Sequence, residues 1–248
     1  MSADVPDTTA GYLAELAGLG EFFALGVADG DEWHSLAELY SDEELAAYVD
    51  RTRTAMAVSA GCAVERVPVR VAASSFQLSV AARLLSPAIG SALCLGVVPV
   101  LDLGSVRWRP STGHTPRFAV DGPDWVEATE EHAAADIIAV SALAVLTVLG
   151  ARLDALSSLS SQITLGNLSS AANGAVTVLA MSRPALRTPG RALIRALLDT
   201  APLSGTGFFA GDQFHRRSCC LYYQAPNSGL CGDCVLALPA TSQRGGMR

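Results

Sequence analysis

Apolar side chains recur at near-helical spacing at the start of the chain. Between residues 8 and 28, a stripe rich in leucine and phenylalanine predicts an amphipathic helix that ends before the Asp29-Gly30 turn. Ser41, followed three residues later by Glu44, matches the capping-box pattern, in which two side chains satisfy free backbone N–H groups at a helix N-terminus. We therefore expect a second helix to begin after Ser41 and to continue to about Val58.

The hydrophobic pattern is less regular between residues 65 and 122. Within residues 65–85, alternate valines such as Val67 and Val69 favour a strand, whereas the later part has helical character, so both interpretations stay open. Residues 98–122 hold short apolar runs around a Pro110–Pro116 turn region. This arrangement predicts a short antiparallel hairpin or meander.

Helical patterns return between residues 123 and 198. Residues 123–155 begin with acidic side chains and continue with apolar ones, which suits a long helix because acidic groups favour the positive end of the helix dipole. Residues 156–182 are rich in small residues and predict a closely packed helix with a break near Gly166-Asn167. A further helix is expected over residues 191–198, after Pro189-Gly190.

These elements together predict an α+β fold, mainly helical, with a small antiparallel sheet around residues 98–122. We expect three regions. Residues 1–60 form an N-terminal helical lobe, residues 61–210 form a central α+β core, and residues 211–248 form a C-terminal segment that carries most of the cysteines.

Charge is distributed unevenly along the 248 residues, which include 17 arginines, no lysine and 24 acids, for a net charge of −7. Residues 1–50 hold 12 acids and no arginine, whereas residues 183–248 hold eight arginines and three acids. Net acidity argues against binding nucleic acid, because phosphate neutralisation needs a dense basic face. The basic C-terminal part either pairs with the acidic N-terminal part or offers a face to an acidic partner.

Two uncharged runs resemble membrane spans. Residues 84–101 are interrupted by Pro87, Gly90 and Pro99, and residues 137–151 are too short to cross a bilayer of about 30 Å. We expect both to form buried core helices, with no transmembrane segment. Residues 1–30 lack the positive region that begins a secretory signal, so we expect a cytoplasmic protein.

Four of the six cysteines lie within sixteen residues, in the order C-C-x10-C-x2-C: Cys219, Cys220, Cys231 and Cys234. Between the two pairs, Leu-Tyr-Tyr is typical of a strand and Pro-Asn-Ser-Gly of a turn, so the chain is expected to reverse and bring the pairs together. The other two, Cys62 and Cys94, lie in apolar surroundings and are expected to be inert core residues.

Two metal centres fit this spacing. Disulfides are disfavoured in a cytoplasmic protein, because thiols stay reduced there. A structural zinc ion with four cysteine ligands is one possibility. The two adjacent cysteines point apart in an extended chain, which suits a rhomb of two irons and two sulfides somewhat better than one small ion. Both interpretations stay open at this point.

The C-terminal signature of the FhuF-like ferric-siderophore reductases resembles two stretches of this chain, Arg216-Arg217-Ser218-Cys219-Cys220-Leu221-Tyr222-Tyr223 and Leu230-Cys231-Gly232-Asp233-Cys234. Upstream, Leu165-Gly166-Asn167 is similar to a Trp-Gly-Asn segment of the family. The resemblance implies that the four cysteines hold a 2Fe-2S cluster, two to each iron, in an iron–sulfur cluster loop at the C-terminal end.

The resemblance also implies an activity, the one-electron reduction of siderophore-bound Fe(III) to Fe(II), which releases iron. The substrate would be a ferric siderophore, such as a hydroxamate. No flavin, nicotinamide or nucleotide motif is present, so the electron is expected from a ferredoxin, a flavodoxin or a separate reductase. The alternative function is a non-enzymatic interaction module with a structural four-cysteine zinc site.

Four other residues are candidate contacts for the substrate or the electron donor. Arg216 and Arg217 directly precede the first ligand, where their charge either raises the reduction potential of the cluster or attracts an anionic siderophore or an acidic donor. Tyr222 lies in the same segment, where strand alternation predicts that one of Tyr222 and Tyr223 packs inward. Asn167 is a candidate through the family resemblance alone.

Overall fold

The computed structural model describes residues 8–237. Within them, the α-helices have these bounds: α1 Thr9–Gly18, α2 Leu36–Leu39, α3 Asp42–Ala60, α4 Val69–Leu95, α5 Glu131–Ile138, α6 Ala144–Ser157, α7 Ser161–Ser182 and α8 Arg187–Asp199. The strands are β1 Gly26–Val27, β2 His34–Ser35, β3 Val97–Pro99, β4 Val106–Arg109, β5 Arg117–Val120, β6 Trp125–Glu127, β7 Gly207–Ala210 and β8 Gln213–Arg216. The predicted α+β class, mainly helical, is confirmed.

Helix α4 runs through the centre of the described structure, where it packs along α7 and also contacts α3 and α6. Most of residues 65–85, for which both a strand and a helix stayed open, is therefore helical. The helix begins after Pro68 and ends at Gly96, which adopts the left-handed conformation that favours glycine. Nearly all of the middle of α4 is buried, including the polar side chains of Ser74 and Gln77. Those two polar side chains face α7 and become important at the candidate site.

The strands form small sheets at the periphery of the helices. Strands β4 and β5 make the antiparallel hairpin that was expected within residues 98–122, and β2 extends it on one side while β1 adds a parallel strand on the other. Strand β3 pairs with β6, and β7 pairs with β8 as a hairpin that leads directly into the cysteine segment. The last hairpin therefore determines where the first two cysteines lie.

Four helix predictions need correction. The helix expected over residues 8–28 ends at Gly18, and Gly26–Val27 is a strand. The helix expected over residues 191–198 begins at Arg187 and includes Pro189-Gly190 in its first turn. The acidic start of residues 123–155 is not helical: Trp125–Glu127 pairs with β3 as a strand, and the helix begins at Glu131 and continues through a π-helical turn at Ala139–Leu143 to Ser157. Helix α7 is continuous through Gly166-Asn167, where a break was expected. The capped helix after Ser41 is confirmed, since the Ser41 side chain accepts a hydrogen bond from the Glu44 backbone N–H.

A single hydrophobic core extends from Leu13 in α1 to Phe214 in β8. Two of its helical stretches, Val69–Leu95 and Glu131–Ser157, are long and apolar enough to cross a membrane by length and composition, and more than half of each hydrophobic window is buried inside the protein. Their burial agrees with the expectation of core helices. The division at residues 60 and 210 stays a prediction.

Candidate metal centre

The cysteine segment begins where β8 ends and doubles back on itself. Leu221 has a left-handed backbone, with φ of 67°, and the chain then makes a 3-10 turn over Tyr222–Gln224. The strand expected at Leu-Tyr-Tyr is therefore wrong, but the predicted reversal is present. The Arg216 backbone N–H donates to the Asp233 carbonyl over 3.2 Å, which joins the start of the segment to its return.

The reversal brings the thiols of the two pairs into contact. The Cys231 thiol interacts with the Cys220 sulfur, and this interaction lowers the pKa of Cys220. The Leu221 backbone N–H donates to the Cys219 sulfur over 3.3 Å, although burial raises the pKa of that thiol. Cys234 is buried beside them. Within residues 8–237, no three His, Cys, Asp or Glu side chains are drawn together around a point that would hold one metal ion.

Cys62 and Cys94 lie apart from this group in the sequence, in the turn after α3 and near the end of α4. Both are partly buried rather than fully buried, which corrects the expectation of core residues. Burial raises the pKa of the Cys94 thiol and keeps it protonated.

Arg216 is the largest fully buried side chain in the described part of the chain, with 1% of its surface exposed. Its Nη2 donates to Asn167 Oδ1 over 2.6 Å and to the Ile163 carbonyl over 3.3 Å, both on α7. Its positive charge acts on the sulfurs of Cys219, Cys220 and Cys231. A buried guanidinium is thus fixed beside the thiols by an amide from the core.

Asn167 is itself held by α4. Its Nδ2 donates to Gln77 Oε1 over 2.7 Å and to Ser74 Oγ over 3.0 Å. Ser74 Oγ in turn donates to the Cys220 carbonyl over 2.8 Å. This buried polar network, formed by Ser74, Gln77, Asn167 and Arg216, connects two core helices to the backbone of a predicted ligand.

Gly166 gives the cysteine segment room to approach α7. A Cβ at this position would lie 2.1 Å from Ser218 Oγ and 3.0 Å from Arg216 Nη2, which is too close for any side chain. The glycine is therefore explained by close approach and not by a helix break. A second tie lies nearby, where Ser170 Oγ donates to Asp233 Oδ2 and burial raises the pKa of the Asp233 carboxyl.

Three unpaired polar atoms precede the first ligand. Among the described residues, five buried side-chain N or O atoms have no hydrogen-bond partner, and three of them are His215 Nδ1, Arg216 Nε and Ser218 Oγ. Native proteins leave few buried polar groups unpaired, so this concentration indicates an acceptor that the protein atoms do not supply. Four thiols with unpaired donors beside them are a fitting donor set for an iron–sulfur cluster.

The structure places the predicted contact residues in two different environments. Arg216 and Asn167 are buried and hydrogen-bonded to each other, so the expectation that they touch a substrate or donor directly is corrected. Arg217 is exposed, with its guanidinium 5.0 Å from the centre of the Phe208 ring. Tyr222 and Tyr223 are each 45% exposed, because a 3-10 turn does not alternate its side chains as a strand does.

A groove of about 440 Å³ lies directly beside the cysteine segment, between α3, α4 and residues 222–228. Its lining contains His114 and no Asp, Glu or Arg side chain, and it includes Thr52, Ser59, Ser75, Tyr222 and Asn227. A larger cleft of about 810 Å³ adjoins His114 on the other side, around β5, and no residue of the cysteine segment lines it. Of these two cavities, the groove is the one that borders the cysteine segment.

Comparison with known proteins agrees with the prediction for the cysteine segment. Residues 216–236 match the family model described as the FhuF 2Fe-2S C-terminal domain, a range that contains all four cysteines and Arg216. No curated protein matches the chain. The C-terminal segment of this chain is therefore similar to the 2Fe-2S C-terminal domain of FhuF, and the resemblance to the FhuF-like family is confirmed over these residues.

Proposed function

We propose that this protein is a cytoplasmic ferric-siderophore reductase. The observation that carries the proposal is the segment of residues 216–236, which matches the FhuF 2Fe-2S domain, contains all four cysteines and borders an accessible groove through Tyr222 and Asn227. When bound, a 2Fe-2S cluster supplies electrons one at a time. Cys219, Cys220, Cys231 and Cys234 would hold it.

The reaction follows from the different affinities of the two oxidation states of iron. Fe(III) is a hard cation that hydroxamate oxygens hold very tightly, whereas Fe(II) has less charge and is held more weakly. An external donor loses one electron, and the Fe(III) of the chelate gains it to become Fe(II). The oxygens that leave the Fe(II) ion take up protons from water, so no acid or base group of the protein is required.

The groove beside the cysteines is the proposed position of the chelate. Its hydroxyl and amide side chains provide hydrogen bonds to a chelate backbone, and its near absence of charge suits a neutral ferric trihydroxamate better than a highly anionic catecholate complex. Ser75 lies next to Ser74, which contacts the Cys220 carbonyl, so the floor of the groove adjoins the ligands. This proximity favours direct electron transfer.

The proposed electron donor is an acidic protein that docks on the arginine face of α8. Arg187, Arg191 and Arg195 are spaced by four residues and lie on one side of that helix. Among the described residues, the acids of the N-terminal part pair instead with Arg83, Arg109 and Arg152. Arg195 lies 4.8 Å from the centre of the Phe209 ring, on the hairpin that leads into Cys219.

Anaerobic purification followed by metal, sulfide and turnover assays tests the proposal. We expect a red-brown protein with about two irons and two sulfides per chain. Mixed with a ferric trihydroxamate and a colorimetric Fe(II) chelator, the chemically reduced protein should form one Fe(II) per cluster. A colourless protein with about one zinc per chain, or a reduced cluster that reduces neither a ferric trihydroxamate nor a ferric catecholate, would contradict it.

The position of the chelate is tested by filling each cavity. Ser59→Trp fills the groove and should raise KM for the ferric chelate without altering the visible spectrum of the cluster. Thr112→Trp, in the larger cleft, is the matched control and should leave KM unchanged. The opposite pattern would assign the chelate to the larger cleft.

A further inference from the structure

The strongest unexplained feature of the molecule is the set of unpaired buried donors directly before Cys219. Arg216 has its Nη2 fully engaged with α7, but its Nε–H has no acceptor within the described residues. Ser218 Oγ has none either. A buried donor without a partner has lost its hydrogen bonds to water and gained none in return, so the segment contains two destabilising groups at the place where the predicted ligands begin.

These two donors lie close together. Ser218 Oγ and Arg216 Nε are 2.1 Å and 3.5 Å from the point where a Gly166 Cβ would stand, so both crowd over the same glycine. Gly166 is the residue that lets them approach α7, and Asn167 is the residue that fixes the guanidinium. The orientation of Arg216 is thus set by the core and not by the cysteines.

The surroundings offer few acceptors to these donors. In the described structure, no carboxylate forms an ion pair with Arg216. The charge of Arg216 acts on the Asp233 carboxyl and on the sulfurs of Cys219, Cys220 and Cys231. Thiolate sulfur is an acceptor, and hydrogen bonds and positive charge at the sulfurs of an iron–sulfur centre stabilise its reduced, more negative state. The donors and the charge therefore act in the same direction.

We infer that Arg216 Nε–H and Ser218 Oγ–H are hydrogen-bond donors to the sulfurs of the bound cluster, that they raise its reduction potential, and that Gly166 and Asn167 are the positioning residues that hold them there. Arg216 is then not a contact for substrate or donor protein. The inference rests on the 2Fe-2S centre of the proposed function and not on the identity of the chelate.

Redox titration with chemical mediators tests this inference on the cluster-loaded protein. At the potential where the wild-type protein is half reduced, we expect the ratio of reduced to oxidised protein to fall roughly tenfold in Arg216→Gln and about three-fold in Ser218→Ala. Arg217→Gln removes the same charge one residue away, but from an exposed side chain, and should leave the ratio unchanged. The titration needs no siderophore, so it does not depend on the proposed activity.

A spectroscopic readout separates hydrogen bonding from charge. In deuterated water, exchangeable deuterons coupled to the reduced cluster should be detected by pulsed electron–nuclear double resonance. One coupling should be lost in Ser218→Ala and another in Arg216→Lys, which retains the charge but lacks Nε–H. Full retention of the wild-type potential in Arg216→Lys would overturn the role of Nε–H.

The whole inference fails if loaded Arg216→Gln and Ser218→Ala both titrate as the wild type does, or if Arg217→Gln shifts the potential as far as Arg216→Gln. Should Arg216→Gln not retain its cluster, Ser218→Ala and Arg216→Lys decide the outcome. Ser218→Ala removes only one oxygen from a crowded site, so it is expected to fold.

Discussion

Asn167 accepts a hydrogen bond of 2.6 Å from Arg216, although 49 residues separate them in the sequence. Arg216 is the last residue of β8, and Asn167 lies within α7. Because Asn167 also donates to side chains of α4, its amide is the point at which the cysteine segment, α7 and α4 meet. The network gives the described cysteines a rigid support in a segment that has little regular structure of its own.

Removing the amide should weaken both the fold and the metal centre. Asn167→Ala removes the hydrogen bonds that the amide makes to Arg216, to Gln77 Oε1 and to Ser74. We therefore expect the free energy of unfolding to fall by on the order of 3 kcal/mol and cluster loading to drop. Denaturant unfolding and iron content measure these effects. Asn173→Ala, on the same helix and with no side-chain hydrogen bond in the described structure, is the control. Equal effects from both would argue against the network.

The close approach at Gly166 predicts a contrast between two glycines of α7. Gly166→Ala places a Cβ against Ser218 Oγ and should destabilise the protein by about 1–3 kcal/mol, with loss of cluster retention. Gly174→Ala meets no atom within 4 Å and should stabilise the helix by about 0.5–1 kcal/mol. Thermal unfolding of both variants distinguishes packing from helix propensity. A neutral Gly166→Ala would show that the segment does not press on α7.

The assignment of the four ligands predicts which cysteines are dispensable. Serine in place of Cys219, Cys220, Cys231 or Cys234 should remove the visible absorption of the cluster and the reductase activity. Cys62→Ser and Cys94→Ser should retain both, because these two cysteines lie outside the matched segment. Visible spectra of anaerobically purified variants provide the measurement. Retained colour in Cys219→Ser would mean that the ligand set is wrong.

The arginine face of α8 predicts a salt-dependent interaction with the electron donor. Arg187→Glu and Arg195→Glu should each lower the rate of reduction by an acidic donor protein, by roughly tenfold at low ionic strength, and the loss should shrink as salt is added. Reduction by dithionite should not change. Arg117→Glu, on β5 in the larger cleft, is the control with the same change in charge. Equal rates in all three variants would place the donor elsewhere.

Asp102 predicts one feature of the pH dependence of stability. Hydrogen bonds from the Ser105 and Gly104 backbone N–H groups, each 2.7 Å long, hold the pKa of Asp102 below its usual 3.8. A depressed carboxyl pKa stabilises the fold above pH 3.8, and this stabilisation is lost as the pH falls through the folded pKa. Asp102→Ala should therefore be less stable than the wild type at pH 7, and the difference should narrow below pH 3.8.

Stability curves at several pH values check this expectation. Asp102→Asn has an amide oxygen that can accept the same hydrogen bonds. Because neither Asn nor Ala titrates, the difference in the free energy of unfolding between these two variants should not depend on pH. If the difference in the free energy of unfolding between the wild type and Asp102→Ala stays constant down to pH 2, the effect is due to the turn geometry and not to the charge.

The sequence correctly predicted the elements that are formed by residues near one another in the chain. The cap at Ser41, the hairpin of β4 and β5 and the reversal between the cysteine pairs all depend on residues a few positions apart, and all three are present. Strand β6 was missed because its pairing with β3 involves residues nearly thirty positions away. Propensity could not reveal that partner.

The support of the candidate site was harder to predict for the same reason. Ser74 and Gln77 are polar residues in a largely apolar helix, three positions apart, and this pattern was a signal that sequence reasoning left unused. Gly166 looked like a helix break because its small size is explained only by Ser218, 52 residues later. Ser218 gave no signal of its own.

The bond from Ser74 to Cys220, which spans 146 residues, has a consequence for the biogenesis of the protein. Translation completes α4 and α7 before it reaches the first cysteine ligand, because both helices precede Cys219 in the chain. The cysteine ligands are therefore synthesised after the two helices that support them. Insertion of iron and sulfide thus depends on a backbone position that α4 holds through Ser74, so we expect cluster insertion to follow the folding of the core.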